Sequence, residues 1–257
     1  MNGQTALITG ASRGIGAAIA QRFAAAGAHV YVSARTVEEG DHVFSGSITT
    51  TVEAIREAGG SAHAIAADLG RADDRQRLVE ETGPIDVLVN NAAITYFEPA
   101  PTFSESHYRL MFEVQVRAPF ELAQAYLPSM RNRHRGWILN ISSGAAIHPT
   151  GPPFATLPGG TVYGMCKAAL ERFTTGLAAE VWSDGIGVNA LSPSGLVVTP
   201  GVVHHGLDQR VPPEAHEPVS YMAEAAYALC TADPTVVTGK VTYAKPILAE
   251  LDVPLPE

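Results

Sequence analysis

A glycine-rich turn joins the first apolar run of the chain to its first amphipathic run, and few folds tolerate one there. Thr5–Ile8 reads as a buried strand and Gly14–Ala26 as a helix, with Thr9-Gly10-Ala11-Ser12-Arg13-Gly14-Ile15-Gly16 linking them. Glycines in such a turn let the backbone approach an anionic group, which the free N–H groups and dipole of the helix start attract. The spacing Gly-x3-Gly-x-Gly departs from the commoner Gly-x-Gly-x-x-Gly, so its weight rests on its surroundings. Short apolar runs follow at His29–Ser33, Ala62–Ala66, Val87–Val89, Ile138–Ile141 and Gly187–Leu191, with a seventh near Lys240–Tyr243. Helical patterns separate them at Ile48–Ala58, Asp73–Thr82, Ser104–Met130 and Val162–Ser183. This alternation predicts parallel strands, right-handed crossovers and helices on both faces. The expected fold class is α/β, a doubly wound parallel sheet of about seven strands in a single domain over residues 1–257.

Composition supports a packed core and removes several kinds of partner. Hydrophobic residues are 46% of the 257 and charged ones 17%, which excludes a disordered chain. The formal net charge of −9 disfavours nucleic acid and anionic membranes as general partners. The basic cluster Arg131-Asn132-Arg133-His134-Arg135 ends a helical pattern before Gly136, where cations answer the helix dipole. Cys166 and Cys230 cannot make a disulfide framework and read as cytosolic thiols. No signal peptide is apparent at Met1–Ile8, and no run approaches the ~20 apolar residues of a membrane span. The expected location is cytoplasmic.

The end of the second strand points to the anion. Val30-Tyr31-Val32-Ser33-Ala34-Arg35 carries no acid to take both ribose hydroxyls of an adenosine, and it ends in a guanidinium. With Arg13 in the glycine turn, Arg35 suits a 2′-phosphate, which favours NADP(H) and leaves NAD(H) as the alternative. Asp68-Leu69 after the third strand either accepts from the adenine amino group or caps the next turn.

Further along, Tyr163-Gly164-Met165-Cys166-Lys167 opens a helical pattern and puts a phenol and an ammonium one turn apart on one face. A phenol titrates at about 10, and a neighbouring cation lowers that toward the range of a useful proton carrier. The pair follows Asn140-Ile141-Ser142-Ser143 at the end of the fifth strand.

With these residues the chain resembles the short-chain dehydrogenase/reductase family in its single-domain, Rossmann-like form, from Thr5 to about Leu248. Matching motifs are the glycine turn, Asp68, Asn90-Asn91-Ala92-Ala93, the serine strand, Tyr163 with Lys167, and Asn189-Ala190-Leu191-Ser192-Pro193. The resemblance implies an oxidoreductase that moves a hydride between a nicotinamide and a small-molecule carbonyl or secondary alcohol. Ser143 would polarise the substrate oxygen, Tyr163 would carry the proton, and Lys167 would tune Tyr163 and hold the nicotinamide ribose. Asn90 would steady the central strands, and Thr199 would meet the carboxamide. Gly10, Ser12, Arg13, Gly14, Ile15, Gly16, Arg35, Asp68, Leu69, Ala92 and Pro193 complete the expected cofactor contacts. The family's habit also implies a homotetramer or homodimer.

Departures from the family pattern qualify these roles. Gln115 stands where a catalytic Asn is expected, so the amide survives one methylene further out. Ala93 replaces a usual glycine, and Pro193-Ser194-Gly195 replaces Pro-Gly. Ser143 and Tyr163 lie 20 positions apart, against about a dozen in relatives, which implies an active-site insertion at about 145–160. Phe154 and His148 within it, together with Gly195, are the expected pocket residues. A substrate lid is expected at about 197–218. Its His204-His205 pair shares no helical face and has no carboxylate or thiol partner at ligand spacing, so no metal is expected. The few fixed charges of lid and insertion suggest a neutral, fairly hydrophobic substrate. Two other readings stay open at this stage: a cofactor-binding regulatory protein weakened at Gln115, or an epimerase or enoyl reductase of the same family.

Overall fold

Strands that are apolar at successive residues must be covered on both faces, and the computed structural model, which describes residues 1–154 and 158–256, covers them so. In chain order the elements are β1 (Thr5–Thr9), α1 (Gly14–Ala25), β2 (His29–Ala34), α2 (Ile48–Glu57), β3 (Ser61–Ala66), α3 (Ala72–Thr82) and β4 (Val87–Asn90). Then come α4 (Glu105–Phe112), α5 (Ala118–Arg133), β5 (Gly136–Ile141), α6 (Thr161–Val181), β6 (Ile186–Ser192), α7 (Pro200–His204), α8 (Val219–Thr231), β7 (Val241–Tyr243) and α9 (Ala244–Glu250). All seven expected strands form, in the order β3-β2-β1-β4-β5-β6-β7 and with every pairing parallel.

Period-two alternation sorts the strand residues between two cores. Ala6 and Ile8 of β1 pack with Ile19 and Phe23 of α1 and Leu229 of α8, while Leu7 between them packs with Leu78, Leu122 and Tyr126 on the opposite face. Each such fully buried side chain contributes on the order of 2 kcal/mol. Because β1 and β4 are neighbours and the chain leaves them in opposite directions, a crevice opens at their carboxyl ends.

Two helical readings change. The single helix expected over Ser104–Met130 is broken by a wide π turn at Glu113–Arg117, which contains Gln115. Pro119 lies four residues after Gln115 and has no N–H to give its carbonyl, so a regular α-helix cannot run through this point. The second difference is that α7, α8 and α9 are absent from the sequence reading, although Met222, Ala225, Ala226 and Leu229 of α8 are buried at helical spacing. Buried Arg75 of α3 ties the break to its neighbours: Nε meets Glu121 at 2.7 Å, while Nη1 meets Glu113 at 3.2 Å and the Leu69 carbonyl at 2.7 Å.

The opposite end of the sheet is closed differently. Trp137 at the start of β5 donates Nε1–H to the Ala232 carbonyl at 3.0 Å, and Trp182 beyond α6 donates to the Thr235 carbonyl at 2.9 Å. Asn189 of β6 donates to the Val237 carbonyl at 3.0 Å, so three side chains hold the segment after α8 against the starts of the central strands.

Candidate active site

The carboxyl ends of the strands line one open cleft of about 1670 Å³. Its floor is the glycine turn. Gly10 has φ +65°, and a Cβ there would stand 2.6 Å from the Ala92 backbone, so β1 and β4 touch at a point only glycine permits. Thr9 and Asn91 lock that contact, although the sequence reading gave neither a role. The Thr9 hydroxyl accepts from the Asn91 and Ala92 N–H groups at 3.1 and 3.2 Å, and the Asn91 amide donates to the Thr9 and Gly10 carbonyls. Gly14 has φ +58°, and a Cβ there would stand 3.0 Å from the Thr199 methyl, so the start of α1 lies close to the start of α7. Thr199 itself caps α7 by accepting from the Val202 N–H at 3.3 Å. This cradle of glycine and N–H groups fits a dinucleotide pyrophosphate.

At the β2 end the expected pair of guanidinium groups divides its work. Arg35 is exposed and makes no ion pair among the described residues. Arg13 instead spends Nε on the Ser45 carbonyl at 2.7 Å, and Nη2 on the Phe44 carbonyl at 3.1 Å, the Gly46 carbonyl at 2.5 Å and the Thr36 hydroxyl at 3.3 Å. The expectation that Arg13 is simply a phosphate ligand is therefore corrected: most of its donors hold the Thr36–Ser47 loop in place. Asp68 lines the cleft and accepts the Gly70 N–H through Oδ1 at 3.0 Å, so the turn-capping role is present.

The other wall carries the polar constellation. Ser143, Tyr163 and Lys167 all line the cleft, as do Pro193, Gly195 and His148. The Lys167 Nζ donates to the Ile141 carbonyl at 2.9 Å and stands 5.6 Å from the centre of the Tyr163 ring. Burial pushes this ammonium down to about 8, with Cys166 and Glu171 pulling it back up. Burial raises the Tyr163 phenol, against a hydrogen bond with Ser143 that lowers it. Desolvation of the hydroxyl is the larger effect, and the lowering expected from Lys167 is not among the influences on this phenol in the protein alone.

Four expected site residues do not line the cleft. Gly16 packs behind the turn, where a Cβ would lie 2.5 Å from the Gly10 carbonyl. Asn90 is buried behind the wall and donates to Asn140 at 2.9 Å, and Asn140 donates to Thr174, bonds that join β4, β5 and α6. Gln115 is buried, donates to the Ile94 carbonyl at 2.8 Å and leaves its Oε1 without a partner. Phe154 is corrected as a pocket residue: its ring is 64% exposed and stands outside the cleft. Residues 155–157 of the expected insertion lie outside the described residues.

Aromatic residues from elsewhere take the place of Phe154. Phe97, in the loop after β4, packs its edge on Tyr163 at 6.1 Å and on His205 at 4.9 Å between ring centres. His205 is pushed down by burial and by His204, which keeps it neutral. The lid is tied at its root: the Glu217 carboxylate accepts the Ser194 N–H at 3.1 Å, and Leu196 pairs with His216. Among the described residues no cluster of three or more metal-ligating side chains forms, and no helix is long and apolar enough to cross a membrane.

A parallel doubly wound sheet with a glycine cradle and a Ser–Tyr–Lys wall at its switch point defines the class of dinucleotide-dependent oxidoreductases. The chain belongs to the short chain dehydrogenase family, whose model matches residues 4–208. An uncharacterized oxidoreductase of Methylorubrum extorquens is 37% identical over 211 residues, covering 80% of this chain and 78% of that protein. Dehydrogenase/reductase SDR family member 4 of Homo sapiens is 35% identical over 201 residues, which is 76% of this chain and 66% of the human protein. A short chain dehydrogenase of Pseudocercospora fijiensis is 36% identical over 75% of this chain but only 60% of its own length. Among solved structures, a 3-oxoacyl (acyl-carrier-protein) reductase from Agrobacterium tumefaciens with NADP bound superposes with TM-score 0.80 at 29% identity, over 94% of this chain and 93% of that one.

Proposed function

We propose that this chain is an NADP(H)-dependent oxidoreductase that interconverts a carbonyl and a secondary alcohol, with Tyr163 as proton donor and acceptor. The observation that carries the reading is the meeting of Ser143, Tyr163 and Lys167 on one wall of a cleft whose floor is the glycine turn. The single-domain reading over 1–257 draws support from the one continuous sheet from β3 to β7. NADP(H) is favoured over NAD(H) by the unpaired Arg35, by Ala34 in place of an acid, and by the NADP found in similar structures.

When bound, the nicotinamide supplies or takes the hydride. In the reducing direction the Ser143 hydroxyl donates to the substrate oxygen, and Tyr163 gives that oxygen its proton as the carbonyl carbon receives the hydride. Lys167 has two N–H groups beyond the one on Ile141 with which to hold the nicotinamide ribose, and its charge stabilises the phenolate left on Tyr163. The free Oε1 of Gln115, in the place of the family's Asn, would accept from a water that brings solvent protons to Lys167 and from there to Tyr163. Ile94, Phe97, Ile147, Leu196 and Val197 around the reacting centre suit a neutral, apolar substrate. Phe120, half exposed and edge-on to Phe173 at 5.8 Å, suits the homodimer or homotetramer contact. The buried, unpaired Cys166 and Cys230 suit a reducing, cytoplasmic setting.

The test is NADPH oxidation over a panel of neutral ketones, with Tyr163→Phe alongside. The expected result is turnover of apolar ketones that falls by about 10²- to 10⁴-fold in the variant while NADPH affinity holds. Absence of turnover in wild type together with an unchanged variant would overturn the reading in favour of a binding protein.

A further inference from the structure

The connection from β2 to α2, Arg35–Ser47, is longer than the two to six residues usual in such units, and it is not a slack loop. Arg13 clamps its far end through three carbonyls, and Ser47 closes it with a capping box to Thr50. Phe44 also meets His204 of α7 at 4.9 Å between ring centres. Held at both ends, the loop lays His42, Val43 and Phe44 along the cleft beside Arg35.

Its charged side chains are sorted. Asp41 turns back to accept the Glu38 N–H at 2.8 Å, Glu39 accepts the Gly46 N–H at 2.8 Å, and Glu38 accepts the Thr49 hydroxyl at 3.1 Å. All three loop carboxylates are thus engaged within the loop and its continuation into α2. His42 lines the cleft. Its Nδ1 accepts the Phe44 N–H at 3.1 Å, which puts the proton of the neutral ring on Nε2, a nitrogen with no hydrogen bond among the described residues. Arg13, Arg35 and His204 face this imidazole from α1, β2 and α7, and Asp68 lies along the same cleft. Burial first, then Arg13, Arg35 and His204, push His42 below the usual histidine range, so at neutral pH the Nε2–H tautomer persists.

We infer that His42 is a specificity-determining ligand of the cofactor, donating Nε2–H to the 2′-phosphate monoester of NADP(H) beside Arg35. This rests on the NADP(H) reading above and adds a donor supplied by the loop rather than by the end of β2. It also gives the Arg13 clamp a purpose, since the clamp helps to hold the loop that carries His42 beside the cleft. A neutral N–H donor next to a guanidinium binds a phosphate oxygen without adding a charge that would repel Arg35 in the free protein.

Calorimetric titration of NADPH and NADH into wild type, His42→Ala and His42→Gln tests this at about pH 7. The expected result is an NADPH affinity about tenfold lower in His42→Ala with NADH affinity unchanged, and recovery of most of the loss in His42→Gln, whose amide N–H reaches the same place. Equal weakening toward both cofactors, in either variant, would make His42 a support of the loop alone and overturn the inference; so would no weakening toward either. A wild-type protein that binds NADH as well as NADPH would overturn the cofactor reading instead, a result read from wild type before any variant is made.

Discussion

The two walls of the cleft are built on different principles. On the cofactor side, strand ends and a helix start are fixed by backbone: Gly10 lies against Ala92, and Thr9 and Asn91 pin β1 to β4 with side-chain-to-backbone bonds of about 3 Å. On the substrate side the wall is made of rings brought from separate loops, with Phe97 after β4, His205 after α7 and Ile147 after β5. A backbone contact has one solution, so the first wall recognises what every nicotinamide dinucleotide shares. Rings brought from separate loops can be exchanged for others without moving the strands, so the second wall is the easier of the two to vary.

Lys167, to which the proposed function gives a part in the chemistry, should break the comparison most sharply. Lys167→Met is expected to cut turnover by about 10³-fold or more while folding at least as well as wild type near pH 7. The sign follows from titration. An unfolded lysine titrates near 10.5 and this one at about 8, so between these values the unfolded chain binds more protons and stability rises with pH. Below about 8 the group therefore costs stability, on the order of 3 kcal/mol, and the variant escapes that cost. Urea unfolding at several pH values, beside initial rates, checks both halves; a variant clearly less stable than wild type at about pH 7 would contradict the argument.

Gly10→Ala attacks the backbone wall. With φ +65° and a Cβ 2.6 Å from Ala92, it should lower NADPH affinity about a hundredfold and abolish the thermal shift given by the cofactor. Arg75→Ala leaves Glu113 and Glu121 without their shared buried partner, and a loss of about 3–5 kcal/mol in unfolding free energy is expected from chemical denaturation. Phe97→Ala tests the ring wall. A rise in KM of about tenfold for an apolar ketone, with kcat and NADPH affinity held, is the expected signature. The smallest effect should come from Arg109→Ala, which removes an exposed pair with Glu105 and should change stability by less than about 0.5 kcal/mol.

The same division explains what could be read in advance. Strands, glycine turn and the Tyr163–Lys167 pair are local patterns, legible because each needs only neighbouring residues to be recognised. Gln115 was found at its position, but not the π turn around it, although Pro119 four residues later carries the reason. The Arg13 clamp joins side chain to carbonyls more than thirty positions away, and Phe44 meets His204 across 160 positions, so neither has a local signature. Phe154 failed for a related cause: composition suggested a pocket ring, but direction decides whether a ring faces in, and this one faces solvent.

The indoles of Trp137 and Trp182 close the sheet at the end away from the cleft, through the carbonyls of Ala232 and Thr235. The indole bonds and the loops that line the cleft thus lie at opposite ends of the strands. A designer could graft new loops onto the mouth, or lengthen those present, and leave the foundation that keeps the chain folded untouched.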